Sequence, residues 1–243
     1  MPADPAESPY DPELMAAVAG LGDALRDLVD ASVRTAIGIP ELSAVQAQVR
    51  QVTARLAAAQ LPPHQLPALD DPIAFRRVYN LVSGVGSALA PPLEIRAEDD
   101  GVVAETTLGL AYEGPPGFLH GGMSGMLMDQ LLGAAAISAG LWGMTVHLEL
   151  DYRGPVPLGT PLVLRGRVTE DAGRKTVATG TIARADAPDR VLVEGRGVFV
   201  APRPERIADY FGAVTDASGQ HAPPGRPTDA TAVARTRPGD GTR

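Results

Sequence analysis

Glu113-Gly-Pro-Pro-Gly-Phe-Leu-His-Gly-Gly-Met-Ser-Gly-Met-Leu-Met-Asp129 decides how this chain is read. Its first residues, rich in Gly and Pro, cannot carry regular structure. After His120-Gly121-Gly122 an almost wholly apolar run follows, predicting a helix over 123–139. Asp129 is the one carboxylate in that run. A bare charge among Met126, Leu127, Leu131 and Leu132 is expensive to desolvate, so Asp129 needs a partner or a chemical task.

On either side of this segment the period changes. Asp11-Pro12-Glu13 is a helix start, with Leu14, Val18, Leu21, Leu25 and Leu28 forming one apolar face. A second start at Pro40-Glu41 leads into Leu42, Val45, Val49, Val52 and Leu56, a short heptad seam. Too short for an independent coiled coil, this hairpin is expected to pack on the main domain or its dimer mate; a lid or partner-docking element is the alternative. The Pro-rich stretch 61–72 marks a boundary. Downstream, strands are predicted over 93–97 and 102–108 around an Asp-Gly hairpin turn, then over 145–153, 162–170, 175–184 and 190–201. Asp171-Ala-Gly173 and Asp186-Ala-Pro-Asp189 supply turns. Leu162, Leu164, Gly166 and Val168 alternate with Val163, Arg165, Arg167 and Thr169, one face apolar and one mixed. This order reads as α+β, with an antiparallel sheet wrapped round the helix. A short helix is expected over 205–212, and a disordered tail after about residue 214. The organisation is therefore 1–72 helical extension and linker, 73–203 main domain, 204–243 short helix and tail.

Composition excludes some classes. The 243 residues carry 44% hydrophobic side chains, a formal charge of −8 and a pI near 5.0, which argues against nucleic-acid and anionic-membrane partners. There is no Cys, hence no disulfide framework, thiolate metal site or Cys nucleophile. The four His lack paired acidic spacing, so no metal site and no cofactor are expected. The start Met-Pro-Ala-Asp-Pro-Ala-Glu has no signal-peptide pattern, and 123–144 reads as a buried helix, so the expected protein is soluble and cytoplasmic.

His120-Gly121-Gly122, an acidic residue nine positions after the His, Thr145, and Asp151-Tyr-Arg-Gly-Pro-Val-Pro-Leu-Gly-Thr-Pro161 together resemble the hotdog-fold thioesterases of the PaaI and superfamily-member-4 types, over roughly residues 78–201. The resemblance implies a hotdog fold with an N-terminal helical extension, an acyl-CoA substrate, and a homodimer or dimer of dimers with shared sites. Many PaaI-type enzymes carry an Asn six positions before the His, where this chain has Gly114.

Thioester hydrolysis needs a polarised carbonyl and an activated water or carboxylate nucleophile. The helix-start amide at Gly121 is the candidate donor, with Gly122 allowing close approach, and Asp129 is the base or nucleophile. Gly121 and Asp129 are eight positions apart (129 − 121), so about 12 Å separates them along one helix. Both can serve one thioester only from different subunits of a two-fold dimer. Thr145 holds the attacking water or is an ordinary strand Thr. His120 is a general acid or, as the family usually has it, a brace for the loop. Arg174 and Lys175 meet CoA phosphates or form a solvated hairpin tip. Asp151 lies near the pantetheine path by resemblance alone, and His147 reads as structural. Trp142 and Met144 line the acyl pocket or belong to the core. A hotdog hydratase or dehydratase using His120 and Asp129, and a non-catalytic acyl-CoA-binding protein, are the competing functions.

Overall fold

In the computed structural model, which describes residues 11–71 and 75–222, Asp11 caps α1 (Pro12–Arg34). Its carboxylate accepts from the amides of Glu13 and Leu14 at 2.9 and 3.3 Å. Pro40 falls in the first turn of α2 (Ile39–Ala57). Among the described residues, α1 is the member of this pair with a buried residue and side-chain bonds to the rest of the chain. Arg26 donates to the carbonyls of Val85 and Ser87, and a Cβ on Gly22 would meet the Val85 carbonyl at 2.2 Å. No residue of α2 is buried, and Leu42, Val49, Val52 and Leu56 of its seam stay exposed.

The strands are β1 (Ile95–Glu98), β2 (Gly101–Thr106), β3 (Met144–Tyr152), β4 (Leu162–Ala172), β5 (Lys175–Arg184) and β6 (Ala187–Val200). They form one six-stranded antiparallel sheet in the order β1-β2-β4-β5-β6-β3. The sequence-based turn at 186–189 is shorter in the structure. Arg184 pairs directly with Ala187, and β6 takes in Pro188 beside a register irregularity, where a strand tolerates a missing amide.

α3 (Gly121–Ser138) lies across the inner face of this sheet, with Leu127, Met128, Leu131 and Leu132 wholly buried. Each such side chain contributes about 1.5–3 kcal/mol relative to exposure. A row of glycines lets the helix come this close. Gly166, Gly180 and Gly195 sit opposite one another across β4, β5 and β6. A Cβ on Gly195 would meet Met128 Cγ at 2.3 Å, and one on Gly180 would meet Leu132 Cδ2 at 2.9 Å. Gly195→Ala is therefore expected to destabilise the protein by about 1–3 kcal/mol through overpacking. The check is a thermal melt; an unchanged midpoint would mean that Met128 can move aside freely.

The sheet covers one face of α3 rather than most of its circumference. Gly125, Met126, Asp129, Gln130, Gly133 and Ala134 remain partly exposed. A loop held by α1 reaches part of this face, with Asn80 Nδ2 donating to Gln130 Oε1 at 3.0 Å.

Contacts cross the Pro-rich stretch 61–72. Leu66 and Leu69 are buried, and the Leu66 amide donates to the Thr215 carbonyl at 2.8 Å. Thus 214–222, expected in a disordered tail, pairs back on the linker; 223–243 lies outside the described residues. A 3₁₀ turn at Pro204–Arg206 and α4 (Ile207–Phe211) form the expected short helix. Trp142 sits between Phe75 and Phe211, with ring centroids 6.1 and 6.3 Å away, so it fastens these segments together at the C-terminal end of α3. Met144, offered with it as pocket lining or core, is exposed.

Candidate active site

The loop before α3 is held at both ends. Gly114 donates to the Phe118 carbonyl, Gly117 (φ 82°) donates to Glu113 Oε1 at 2.7 Å, and Leu119 donates to the Val156 carbonyl. A Cβ on Gly114 would meet the His120 Cα at 2.7 Å. Glycine at this position thus follows from the loop's shape, and an Asn there would displace His120. The His120 amide donates to the Tyr112 carbonyl at 3.0 Å, and burial raises the Tyr112 phenol above its ordinary pKa, against the opposing charge of Arg26.

His120 is the N-cap of α3, and its Nδ1 accepts from the Gly122 amide at 3.0 Å. That bond requires Nδ1 to be unprotonated, which leaves the ring proton on Nε2. The His120 carbonyl accepts from Met123 and Ser124 at 2.9 and 3.3 Å. Gly122 is accordingly occupied as a donor. Among the described residues, the Gly121 amide is the first-turn N–H with no hydrogen-bond partner. A Cβ on Gly121 would stand 3.4 Å from the Tyr152 hydroxyl, an ordinary contact, so packing within the chain does not demand glycine there.

At the middle of α3, Asp129 is partly exposed and has a partner: Thr145 Oγ1 donates to Asp129 Oδ1 at 2.8 Å. A strand irregularity makes this possible. Leu148 and Leu150 of β3 pack on the core, so strict alternation would turn the odd-numbered Thr145 outward. The register shift between Thr145 and His147 leaves Val146 as the extra residue and restores Thr145 to the helix side.

The other candidates lie elsewhere. Asp151 is exposed on the outer face of the sheet, in a groove with Glu149, Glu194 and Arg196, and stands 3.8 Å from Arg153. It is not brought together with Gly121 or Asp129. Exposed His147 shares that outer face, and His64 and His221 lie at the pairing of the linker with 214–222. Arg174 lies in the β4–β5 turn and Lys175 opens β5, at the sheet end that carries Thr145, and Arg174 Nε donates to the Ala201 carbonyl at 3.2 Å. The residue that sequence reading passed over is Tyr152, whose hydroxyl donates to the Gly121 carbonyl at 2.8 Å. Its parity with Leu148 and Leu150 signalled the inner face; its nearness to Gly121 had no local signal. Among the described residues, no group of three or more His, Asp or Glu is placed to hold a metal, and no helix is long and apolar enough to cross a membrane.

One helix thus carries, among the described residues, a free amide at its start and a Thr-bonded carboxylate about 12 Å along it. Comparison with known proteins adds to this geometry. Residues 116–194 match the family model described as the thioesterase superfamily. An acyl-coenzyme A thioesterase THEM4 of Xenopus laevis is 35% identical over 88 residues, 36% of this chain and 39% of that protein. Its namesake in Mus musculus is 34% identical over 98 residues, 40% and 42% of the two chains. The chain therefore spans about two fifths of the length of these curated relatives. The crystal structure of a thioesterase superfamily protein is 33% identical with a TM-score of 0.68, covering 82% of this chain and 97% of that one.

Proposed function

We propose, from the premise that this chain belongs to the thioesterase superfamily, that it hydrolyses acyl-CoA thioesters to a free acid and CoA. The curated relatives that it resembles are named acyl-coenzyme A thioesterases. The observation that carries the reading is Asp129, held by Thr145 at 2.8 Å on the open face of a helix whose first amide is free. The Gly121 N–H polarises the thioester carbonyl, aided by the positive end of the helix. Asp129 takes the proton from an attacking water and returns it to the sulfur as the C–S bond breaks, so that CoA leaves as the thiol. In the nucleophilic variant Asp129 attacks the carbonyl carbon, and CoA leaves as the thiolate and is protonated by solvent. Water then hydrolyses the mixed anhydride to the free acid and the regenerated carboxylate.

The two half-sites meet across a homodimer, alone or paired into a dimer of dimers. Support comes from β3, a nine-residue edge strand with Met144 and Val146 exposed and no strand paired to its outer side among the described residues. Such an edge is a template for strand pairing. Two-fold pairing along it sets two copies of α3 antiparallel, with Gly121 of one near Asp129 of the other.

Hydrolysis is tested by incubating the purified protein with acyl-CoAs of graded chain length and reading free thiol. No release from any of them, by folded oligomeric protein, would leave acyl-CoA binding without chemistry. The cap on His120 Nδ1, which leaves the ring proton on Nε2, weighs against a hydratase that uses His120 as its base.

Within this reading Thr145 orients Asp129 and the attacking water. Thr145→Val is expected to lower turnover on the order of tenfold, the kinetic equivalent of one net hydrogen bond. Wild-type turnover in the Val variant would reduce Thr145 to an ordinary strand residue.

A further inference from the structure

Gly121 and Gly122 give the start of α3 two consecutive residues without Cβ, the least restrained backbone a chain can have. An amide that is to stabilise developing charge must instead be held in place before the substrate arrives. The structure resolves this conflict at one peptide group. The carbonyl of Gly121 and the amide of Gly122 belong to the same peptide unit, and both are engaged. Tyr152 donates its hydroxyl to the carbonyl at 2.8 Å, and the amide donates to His120 Nδ1 at 3.0 Å. The preceding peptide is fixed through the His120 carbonyl, bonded to Met123 and Ser124, and only its Gly121 N–H is left over.

His120 is a local cap, supplied by the residue next to the glycines. Tyr152 comes from 31 positions further along the chain and has no such local reason. Nor does burial explain its placement, because Tyr152 is 55% exposed. It lies at the far end of the strand that carries Thr145, so β3 touches both half-sites: Asp129 through Thr145, and Gly121 through Tyr152.

We infer that Tyr152 is a positioning residue that sets the orientation of the Gly121 amide toward the thioester carbonyl. This rests on the proposed hydrolase reading. Because Tyr152 holds the Gly121 of its own chain, it belongs to the donor half-site and not to the carboxylate half-site.

The test is Tyr152→Phe, which keeps the ring and removes the hydroxyl. In the full-length protein without substrate, hydrogen exchange at the Gly122 amide should quicken several-fold while the melting temperature and oligomeric state stay unchanged. With acyl-CoA, kcat should fall by roughly tenfold with KM within about twofold, a fraction of the 10²- to 10³-fold that follows outright removal of an oxyanion donor. Unchanged exchange together with unchanged kcat would overturn the inference. So would a raised KM at constant kcat, which would make Tyr152 a substrate contact, or a lowered melting temperature, which would make it a fold residue. Exchange is read without turnover, so a wild-type protein inactive on every acyl-CoA would remove the hydrolase reading while the clamp is still judged.

Discussion

Asp129→Asn is expected to lower acyl-CoA hydrolysis by at least about 10²-fold, the usual contribution of a positioned base or nucleophile. The amide has nearly the shape of the carboxylate, and its oxygen can still accept from Thr145 Oγ1, so the contact at 2.8 Å survives. Because Asp129 is partly exposed in the chain, loss of its charge strands no buried counter-charge. Melting temperature and oligomeric state should match the wild type, and acyl-CoA should still bind. Steady-state thiol release by the two proteins decides the matter. Turnover within a few-fold of wild type would exclude Asp129 as the reacting group.

Activity should return when two inactive variants share a dimer. Gly121→Pro deletes a single donor, the Gly121 N–H, which no other group among the described residues uses. Proline suits the place: Gly121 is the first helical residue, and His120 before it is extended at ψ 132°, as a residue preceding proline prefers. A dimer of this variant with Asp129→Asn has one site with both defects and one with neither. Random mixing makes about half of all dimers mixed, each with one good site of two, so activity should reach roughly a quarter of wild type. Differently tagged chains, purified as verified heterodimers, provide the measurement. If those heterodimers are as inactive as either parent, Asp129 does not work with the partner's amide and the shared-site arrangement falls.

Much of the fold was legible because its signals are local. Asp11 before Pro12 marked the start of α1, and the Asp-Gly pair 100–101 marked the β1–β2 turn. The change from Gly-Pro loop to apolar run at His120 placed α3 within two residues. A cap, a turn and an amphipathic stripe depend on neighbours within about one helical turn, so the sequence displays them directly. The turn before β6 was misjudged because Pro188 reads as a breaker, whereas an irregular register accommodates it inside the strand.

The same division runs through the site. By its own residues the sequence determined a helix opening on His120-Gly121-Gly122, a carboxylate eight positions beyond the first glycine, and hence a separation of about 12 Å along the helix. Tertiary structure decided which groups stand beside them. The extra residue Val146 turned Thr145 toward Asp129, the row Gly166–Gly180–Gly195 set how near α3 lies to the sheet, and strand parity carried Tyr152 to the Gly121 carbonyl. Each of these depends on register between segments far apart in the chain. A one-residue change of register sends every side chain of a strand to the opposite face, and strand spacing in the sequence carries no mark of it.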